Sequence, residues 1–222
     1  KEIGLPAVIK PADNMGARGV KKISKDWELE SAFREAKSAS TSGGVILEEY
    51  MDGDELSIDM MLVSGKPIFS VVADRIIRHA PYFVEIGHIL PSNKPKELQD
   101  AAVDLTRRGC EALGIHMGAA KSDIKLTSAG PMIGEIAARL SGGFMSGYTC
   151  PVATGVEIIR TAIEISLGRI PSPIRPTNHK VSMERAIIPG AGRVMSVSGV
   201  DEVRRMPGVV ALFVDVKEGD VV

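Results

Sequence analysis

The chain has 222 residues, 44% of them hydrophobic and 25% charged, with a formal net charge of -1. This is enough to bury a substantial core, and it gives no bulk charge for binding nucleic acid or an anionic membrane. No apolar run approaches the roughly 20 residues of a membrane span, and the start has no signal-peptide shape, so a cytoplasmic protein with no membrane partner is expected.

The N-terminal elements predict two strands, Leu5–Pro11 and Val20–Ile23, joined by a glycine-bearing loop at residues 12–19. A helix is expected at about residues 26–38, because apolar residues recur there on one face. Short turns then separate three strands, at residues 45–50, 55–63 and 67–74. Alternation places four apolar residues of the middle strand on one face, which indicates an antiparallel meander: Leu56, Ile58, Met60 and Leu62.

The second half begins with a helix from Pro95 to Gly114, with proline in its first turn and glycine at its end. A hairpin of residues 117–126 and 132–140, a helix at 152–168 and a proline-rich linker at 171–178 follow. The remaining residues predict a β-rich lobe with strands near 181–188, 192–197 and 209–216 and a short helix at 200–206. Cys110 and Cys150 sit in no metal or redox spacing and are interpreted as structural thiols.

These elements predict an α+β fold with antiparallel sheets and flanking helices. The expected domains are a core at 1–170, divided into lobes at 1–65 and 66–170, and a small C-terminal β-rich subdomain at 179–222. Since Lys1 is not a start methionine and a strand follows at once, the chain is expected to be a fragment of a longer protein.

Charged residues mark the hairpin. If it centres near Ala129, Asp123 lies opposite Glu135 with the two Cβ atoms about 5 Å apart. Facing carboxylates at that distance cost about 3 kcal/mol at an effective dielectric of about 20, so they need a compensating cation. A hard ion such as Mg²⁺ fits. The alternative is a solvated face neutralised by Lys121, Lys125 and Arg139.

Two further features suggest an anion site. Arg139 precedes the run Ser141–Phe144, whose paired glycines let backbone N–H groups approach a ligand. The loop at 12–19 matches neither the Walker nor the dinucleotide pattern, so a plain hairpin loop stays an alternative there. Lys10 can reach a phosphate or merely extend its amine to solvent.

Taken in order, the motifs resemble the ATP-grasp superfamily of carboxylate–amine and carboxylate–thiol ligases. The resemblance covers about residues 3–168 and is carried by five stretches: LPAVIKP, ADNMGARG, ILEEYMDGDELSID, KSDIKL and EIAARLSGG. Amino-acid-ligase-like and carbamoyl-phosphate-synthase-like ATP-binding domains are the nearest types. The resemblance implies two lobes around a nucleotide cleft, with ATP and Mg²⁺ or Mn²⁺ as cofactors.

The resemblance also implies roles for individual residues. Lys10 would bind phosphate, and Gly16 to Gly19, with Arg18, would close over the β- and γ-phosphates. Nucleotide contacts would also come from Glu48, Glu49, Met51 and Glu55. Asp123 and Glu135 would hold the metal, and Lys121 and Arg139 would stabilise the transferring phosphoryl group. The segment 82–95 and the glycine run resemble the substrate pocket of amino-acid ligases, which implies Glu85, His88, Ser141, Gly142 and Gly143; a structural role for His88 stays open.

The implied reaction joins a small carboxylate, such as an amino acid, to an amine through an acyl phosphate, with ADP and phosphate as products. A non-catalytic nucleotide-binding or regulatory module, a purine-biosynthesis-type carboxylase or synthetase and a purely structural domain stay open as alternatives. Ala137 stands where many members have an asparagine ligand, and the usual N-terminal lobe is missing, so the fragment alone is not required to turn over. A homodimer is also left open.

Overall fold

The computed structural model describes residues 3–171 and 174–222, so residues 172–173 of the expected linker lie outside the described residues. The chain divides into two compact units, the first ending at Ala186 and the second spanning Ile187–Val222. The first unit contains two antiparallel sheets, which confirms the α+β class. Among the described residues, no helix is long and apolar enough to cross a membrane.

Within residues 3–171 and 174–222, nine strands and five α-helices carry the fold. The strands are β1 (Ala7–Pro11), β2 (Lys21–Ile23), β3 (Val45–Glu49), β4 (Asp54–Val63), β5 (Lys66–Arg78), β6 (Val84–Leu90), β7 (Gly118–Thr127), β8 (Gly130–Ala137) and β9 (Ser182–Arg185). The helices are α1 (Leu29–Ala39), α2 (Lys96–Ala112), α3 (Cys150–Thr154), α4 (Ile158–Ser166) and α5 (Val200–Arg204).

The smaller sheet has the order β2-β1-β3 and is covered by α1. Alternate residues of β1 and the small residues of α1 are buried between them because the sheet and the helix each have one apolar face. Their shared core consists of Ala7, Ile9, Ile23, Ala32 and Ala36. The predicted first two strands and first helix are thereby confirmed.

The larger sheet has the order β8-β7-β4-β5-β6-β9. The alternation predicted for β4 is confirmed, since Leu56 and Ile58 pack with Ala102 of α2, and Met60 and Leu62 pack with Cys110 further along that helix. The opposite face packs Met61 with Met145 and Ile158 in a further core, and it also carries the buried polar residues Ser57 and Asp59. Strands β4 and β5 pair in one sheet, so the chain passes from the smaller to the larger sheet between residues 49 and 54. The expected lobe division after residue 65 lies within the larger sheet. The expected domain ranges remain proposals.

The predicted helix at 152–168 is interrupted. Helix α3 ends at Thr154 and is capped by Gly155, whose φ is +73°, and α4 starts at Ile158. An ideal Cβ on Gly155 would lie 2.0 Å from Thr177 Oγ1, so the following segment packs directly against the break. Glycine is needed here both for the left-handed backbone and for the close approach.

A strand that the sequence did not indicate completes a long hairpin. Strand β5 runs on to Arg78, and β6 returns beside it. The tip of this hairpin reaches the smaller sheet, where the Lys22 backbone N–H donates to the Pro81 carbonyl at 3.0 Å. The Lys22 ammonium also lies 3.6 Å from the ring centre of Tyr50. The hairpin thus bridges the two sheets at one end.

The second unit contains α5, as predicted, but the strands expected at 192–197 and 209–216 are wrong. Among its described residues the only sheet-like pairing is a bridge between Arg193 and Val221. Met195 is 76% and Val210 64% exposed, so the apolar residues that suggested strands do not form the buried face of a sheet. The strand expected at 181–188 exists only as β9, which belongs to the first unit and pairs there with β6.

Candidate active site

Asp123 on β7 lies directly opposite Glu135 on β8, which confirms the register expected from the alternation. The hairpin does not centre on Ala129, however. Residues 128–129 form a two-residue turn, and Gly134 is an extra residue that bulges from β8 and restores the register. The facing of acidic residues therefore depends on a glycine bulge between the turn and the site.

The bulge changes which face the earlier residues of β8 occupy. Met132 pairs with Lys125 on the polar side of the sheet, so its expected place on the apolar face is wrong. Ile133 instead pairs with Ile124, a core residue. One inserted residue reverses the two-residue period, and spacing alone does not reveal it.

The Asp123 carboxylate is largely buried, and only one of its two oxygens has partners. Its Oδ2 atom lies 2.5 Å from Lys121 Nζ and 2.9 Å from Arg75 Nη1. Its Oδ1 atom is buried and has no hydrogen-bond partner. Glu135, in contrast, has a half-exposed side chain, 3.8 Å from the Arg139 guanidinium. A buried oxygen without a partner, on a residue paired in register with a second acidic residue, fits a hard divalent cation.

Arg75 on β5 joins three carboxylates that come from different strands. Its guanidinium lies 3.1 Å from Glu55, 2.9 Å from Asp123 and 2.6 Å from Glu85. Burial alone would lower the pKa of Arg75, but Asp123, Glu85 and Glu55 together raise it. Sequence reasoning missed this residue, because the predicted strand ended at Asp74 and Arg75 follows it directly. Through Arg75 the structure links the expected nucleotide, metal and substrate residues.

A second residue that the sequence did not single out is Asp59, which is fully buried on β4. Its carboxylate accepts hydrogen bonds from the Ser141 backbone N–H at 2.9 Å and the Ser146 hydroxyl at 2.7 Å. Burial raises the pKa of Asp59, while these hydrogen bonds and nearby Lys121 act in the opposite direction. Asp59 therefore fixes the glycine run that follows β8. Lys121 on β7 is the register partner of Asp59, so this run is held near Lys121.

Arg139 lies beyond the sheet because β8 ends at Ala137, three residues before the end of the expected strand. A turn bond from the Arg139 N–H to the Ala137 carbonyl, at 2.9 Å, follows the strand directly. Its guanidinium is half exposed and donates to the Leu140 carbonyl at 3.1 Å. Arg139 is near Glu135 but does not contact Asp123 as Lys121 does.

The loop at 12–19 is tied to the smaller sheet on its inner side. Asp13 accepts hydrogen bonds from Ser40 at 2.5 Å and Ser42 at 2.7 Å, and the Ser40 bond is the main reason that the pKa of Asp13 is lowered. Gly16 and Gly19 have φ values of +67° and +73°, and Arg18 between them is exposed. The loop thus has a fixed base and a solvent-facing tip.

The expected nucleotide residues lie on β1, β3 and the β3–β4 connection. Lys10 Nζ is 2.7 Å from a Glu48 carboxylate oxygen, while the Glu49 side chain is exposed. The Met51 methyl group would lie 3.8 Å from a Cβ on Gly134, which brings the connection next to the bulge beside Glu135. The β3–β4 connection therefore lies against β8 at this point.

A second polar cluster surrounds His88, which is 2% exposed on β6. His88 Nδ1 is 2.5 Å from Glu184 of β9, and its Nε2 is 3.6 Å from Glu85. An ideal Cβ on Gly143 would lie 3.0 Å from each of the two carboxylates. The structure thus brings Glu85, His88 and Gly143 together, as expected, and adds Glu184, which the sequence did not indicate.

The three side chains of this cluster have donor atoms within 4.8 Å of one another, close enough to share a cation. Glu85 also contacts the Arg75 guanidinium, at 2.6 Å. The cluster is therefore connected through Arg75 to Asp123.

Comparisons with known proteins give the family and the fold. Residues 3–147 match the ATP-grasp domain family, and residues 185–222 match L-amino acid ligase C-terminal domain 2. The crystal structure of an L-amino acid ligase from Bacillus licheniformis superposes with a TM-score of 0.85 at 23% identity, covering 100% of this chain and 56% of that one.

Two other proteins show how broadly the fold is shared. Carnosine synthase 1 from Gallus gallus is 27% identical over 187 residues, which is 78% of this chain and 20% of its own length. The biotin carboxylase domain of Hydrogenobacter thermophilus 2-oxoglutarate carboxylase, solved with magnesium ADP and bicarbonate, has a TM-score of 0.66 at 21% identity and covers 82% of this chain and 41% of its own. The chain spans less than half the length of the curated relatives it matches.

Proposed function

The chain belongs to the ATP-grasp domain family, and from this premise we propose that it is the core of an ATP- and magnesium-dependent ligase. The ligase joins a small carboxylate of the amino-acid type to an amine, and ADP and phosphate are released. The L-amino acid ligase match at residues 185–222 and the carnosine synthase relative support a carboxylate–amine reaction. The proposal concerns the whole protein, of which this chain carries the nucleotide and metal residues.

One observation carries the proposal. The buried Oδ1 of Asp123 has no hydrogen-bond partner, its Oδ2 is neutralised by Lys121 and Arg75, and Glu135 is the register partner of Asp123 across the hairpin. A merely structural acidic residue would have both oxygens satisfied. Asp123 and Glu135 would hold Mg²⁺, which when bound neutralises phosphate charge and orients the γ-phosphate.

The cations around Asp123 would supply the charge stabilisation that the reaction needs. Attack of a carboxylate on a triphosphate brings together groups of like charge, so catalysis rests on positioning and on charge stabilisation. Arg75 and Lys121, both mostly buried, are held in place by carboxylates and require little reorganisation. Arg139, at the edge of the site, would join them when substrate is bound.

The nucleotide would lie where the two sheets meet. Lys10 and the exposed tip of the loop at Gly16–Gly19, with Arg18, would contact the phosphates. Glu48, Glu49 and Met51 would border the adenine, and Glu55 would take the ribose hydroxyls. Glu55 is held between Arg75 and Lys125, the latter at 2.8 Å, so its carboxylate is already oriented.

The acid substrate would lie on the other side of Arg75. Glu85 and His88 face Gly143, and the buried hydroxyl oxygen of Ser141 has no hydrogen-bond partner. We propose that Ser141, Gly142 and Gly143 border the substrate, with Asp59 fixing their loop. Two carboxylates beside this space suit a substrate with an ammonium group, such as an amino acid.

A non-catalytic nucleotide-binding module is the second candidate. It is favoured by Ala137, which offers no metal ligand, and by the position of Arg139 outside the sheet. Screening the intact protein for ADP release across amino acids and amines, with Mg²⁺ or Mn²⁺, separates the two candidates. Amino-acid-dependent ADP release supports the ligase, whereas nucleotide binding without turnover for any substrate supports the module.

A further inference from the structure

Ser57 on β4 is a fully buried polar residue that has no role in the reaction described above. We propose that its hydroxyl binds a water molecule of the metal's hydration shell, which makes Ser57 a positioning residue of the site at Asp123 and Glu135. This inference rests on the proposed function, because it takes the metal site as its starting point.

The pairing of the strands places Ser57 in line with the two acidic residues. Glu135 on β8 pairs with Asp123 on β7, and Asp123 pairs in turn with Ser57 on β4. Residues that pair directly across neighbouring strands point to the same face of the sheet. Leu56 and Ile58, on either side of Ser57, pack with α2 on the other face. The row of two carboxylates therefore continues into a hydroxyl.

The Ser57 hydroxyl has no partner within the described part of the chain. Four buried side-chain oxygens there make no hydrogen bond, and they belong to Ser57, Ser122, Asp123 and Ser141. The Asp123 atom is Oδ1, so two directly paired residues each keep an unsatisfied buried oxygen. Buried polar atoms are normally hydrogen bonded to protein or to ordered water. One bound species next to Asp123 accounts for both oxygens.

The cations around Ser57 are bound to carboxylates instead. Arg75 Nη1 lies 3.1 Å from Glu55 and 2.9 Å from Asp123, and Lys121 Nζ lies 2.5 Å from Asp123. Glu55 comes two residues before Ser57 on the same face, so the guanidinium joins two of the nearest neighbours of Ser57. These contacts satisfy the carboxylates and leave the hydroxyl unpaired. Its partner is therefore a small molecule and not a side chain.

Distance favours a water over direct coordination of the ion. Neighbouring strands lie about 4.8 Å apart, which puts the backbones of Ser57 and Glu135 about 10 Å apart across β7. Magnesium contacts its ligands at about 2.1 Å and keeps several waters when a protein supplies one or two carboxylates. An ion held by Asp123 and Glu135 would lie beyond the short serine side chain, and one of its waters would reach it. A hydroxyl oxygen can accept the hydrogen bond that such a water donates.

The test compares two buried serines on opposite faces of the sheet. Ser122 on β7 pairs with Ile58 and Ile136, which places it on the side that packs against α2. Like Ser57 it is fully buried and its hydroxyl has no partner, so Ser122→Ala is a matched control for Ser57→Ala.

Calorimetry measures the ATP affinity of the intact protein and of both variants over a series of free Mg²⁺ concentrations and in a chelator. The readout is binding and does not depend on turnover. Urea unfolding without metal checks that each variant is folded.

We expect Ser57→Ala to raise the Mg²⁺ concentration that gives half of the magnesium effect by about 10-fold. Loss of a partner outside the ligands themselves typically costs about 10- to 100-fold in metal affinity. The ATP affinity of Ser57→Ala in the chelator should equal that of the wild type. Ser122→Ala should leave both quantities unchanged, because its hydroxyl lies on the other face.

Equal Mg²⁺ midpoints for Ser57→Ala and Ser122→Ala would overturn the inference. A loss of ATP affinity in Ser57→Ala that is equally large in the chelator would also overturn it, since the hydroxyl would then act on the fold or on the nucleotide alone. A wild type whose ATP affinity ignores Mg²⁺ would instead refute the metal site on which the proposed function rests, so the two failures are distinguishable.

Discussion

Arg75 Nη1 lies 2.9 Å from Asp123 Oδ2, and this contact joins the two halves of the candidate site. The same guanidinium binds Glu55 and Glu85, so one buried cation balances three carboxylates. Removing a single partner from such a group leaves uncompensated charge in a poorly solvated place, which makes Arg75 central to both stability and chemistry.

Replacing Arg75 with methionine should destabilise the protein by about 3 kcal/mol or more, because three partly buried carboxylates would lose their shared cation. Urea unfolding measures the change. Arg78→Met is the matched control on the same strand, since Arg78 is exposed and donates only to the neighbouring Ile77 carbonyl. Equal stability of the two variants would show that the contacts of Arg75 with the three carboxylates do not stabilise the fold.

The glycines of the loop at 12–19 provide a second, paired test. Gly19→Ala should cost about 1 kcal/mol more than Gly16→Ala in unfolding free energy. Both have positive φ, but a Cβ on Gly19 would lie 2.8 Å from the Ala39 Cβ, whereas no atom lies within 4 Å of one on Gly16. Chemical denaturation of both variants gives the difference, and equal losses would contradict the packing seen for Gly19.

The raised pKa of Asp59 predicts a pH dependence. The folded protein binds the Asp59 proton more tightly than the unfolded chain, so this group stabilises the fold fully below its unfolded pKa and loses that contribution as pH rises through the raised value. Wild type should therefore gain stability relative to Asp59→Asn as pH falls through this window. Urea titrations over an acidic pH series would disprove this if the difference between the two proteins were constant.

The cysteines should be inert in the folded protein. Burial raises the pKa of Cys150 to about 11 and also raises the pKa of Cys110, so little thiolate forms at either. A disulfide-exchange reagent should label neither Cys110 nor Cys150 under native conditions. In denaturant it should label both. Rapid labelling of the native protein would mean that one of them is exposed, against its burial here.

Local periodicity predicted part of the site. It placed the apolar residues of β4 on one face, because period 2 is a short-range property of strands. The facing of Asp123 and Glu135 was also predicted, but in the structure it depends on the bulge at Gly134. It failed where one residue breaks the period, as Gly134 does, and where a strand ends early, as β8 does before Arg139.

The residues that sequence reasoning missed depend on distant contacts. Arg75 meets carboxylates from β4, β6 and β7, and no spacing rule links those strands before the sheet order is known. Glu184 is 96 residues from His88 in sequence and reaches it only because β9 pairs with β6. The same limit explains the second unit, where apolar runs suggested strands that lack a sheet to join.

The central claim is that Asp123 and Glu135 form a metal site that helps to bind ATP. The magnesium dependence of ATP binding tests this claim most directly. Calorimetric titration of the wild type with ATP should show binding at least about 10-fold tighter with Mg²⁺ than with a chelator. Asp123→Asn should abolish that difference, while Glu97→Gln, an exposed change on α2, should keep it. If ATP binds equally well without Mg²⁺, or if Asp123→Asn retains the full magnesium effect, the proposed metal site is wrong.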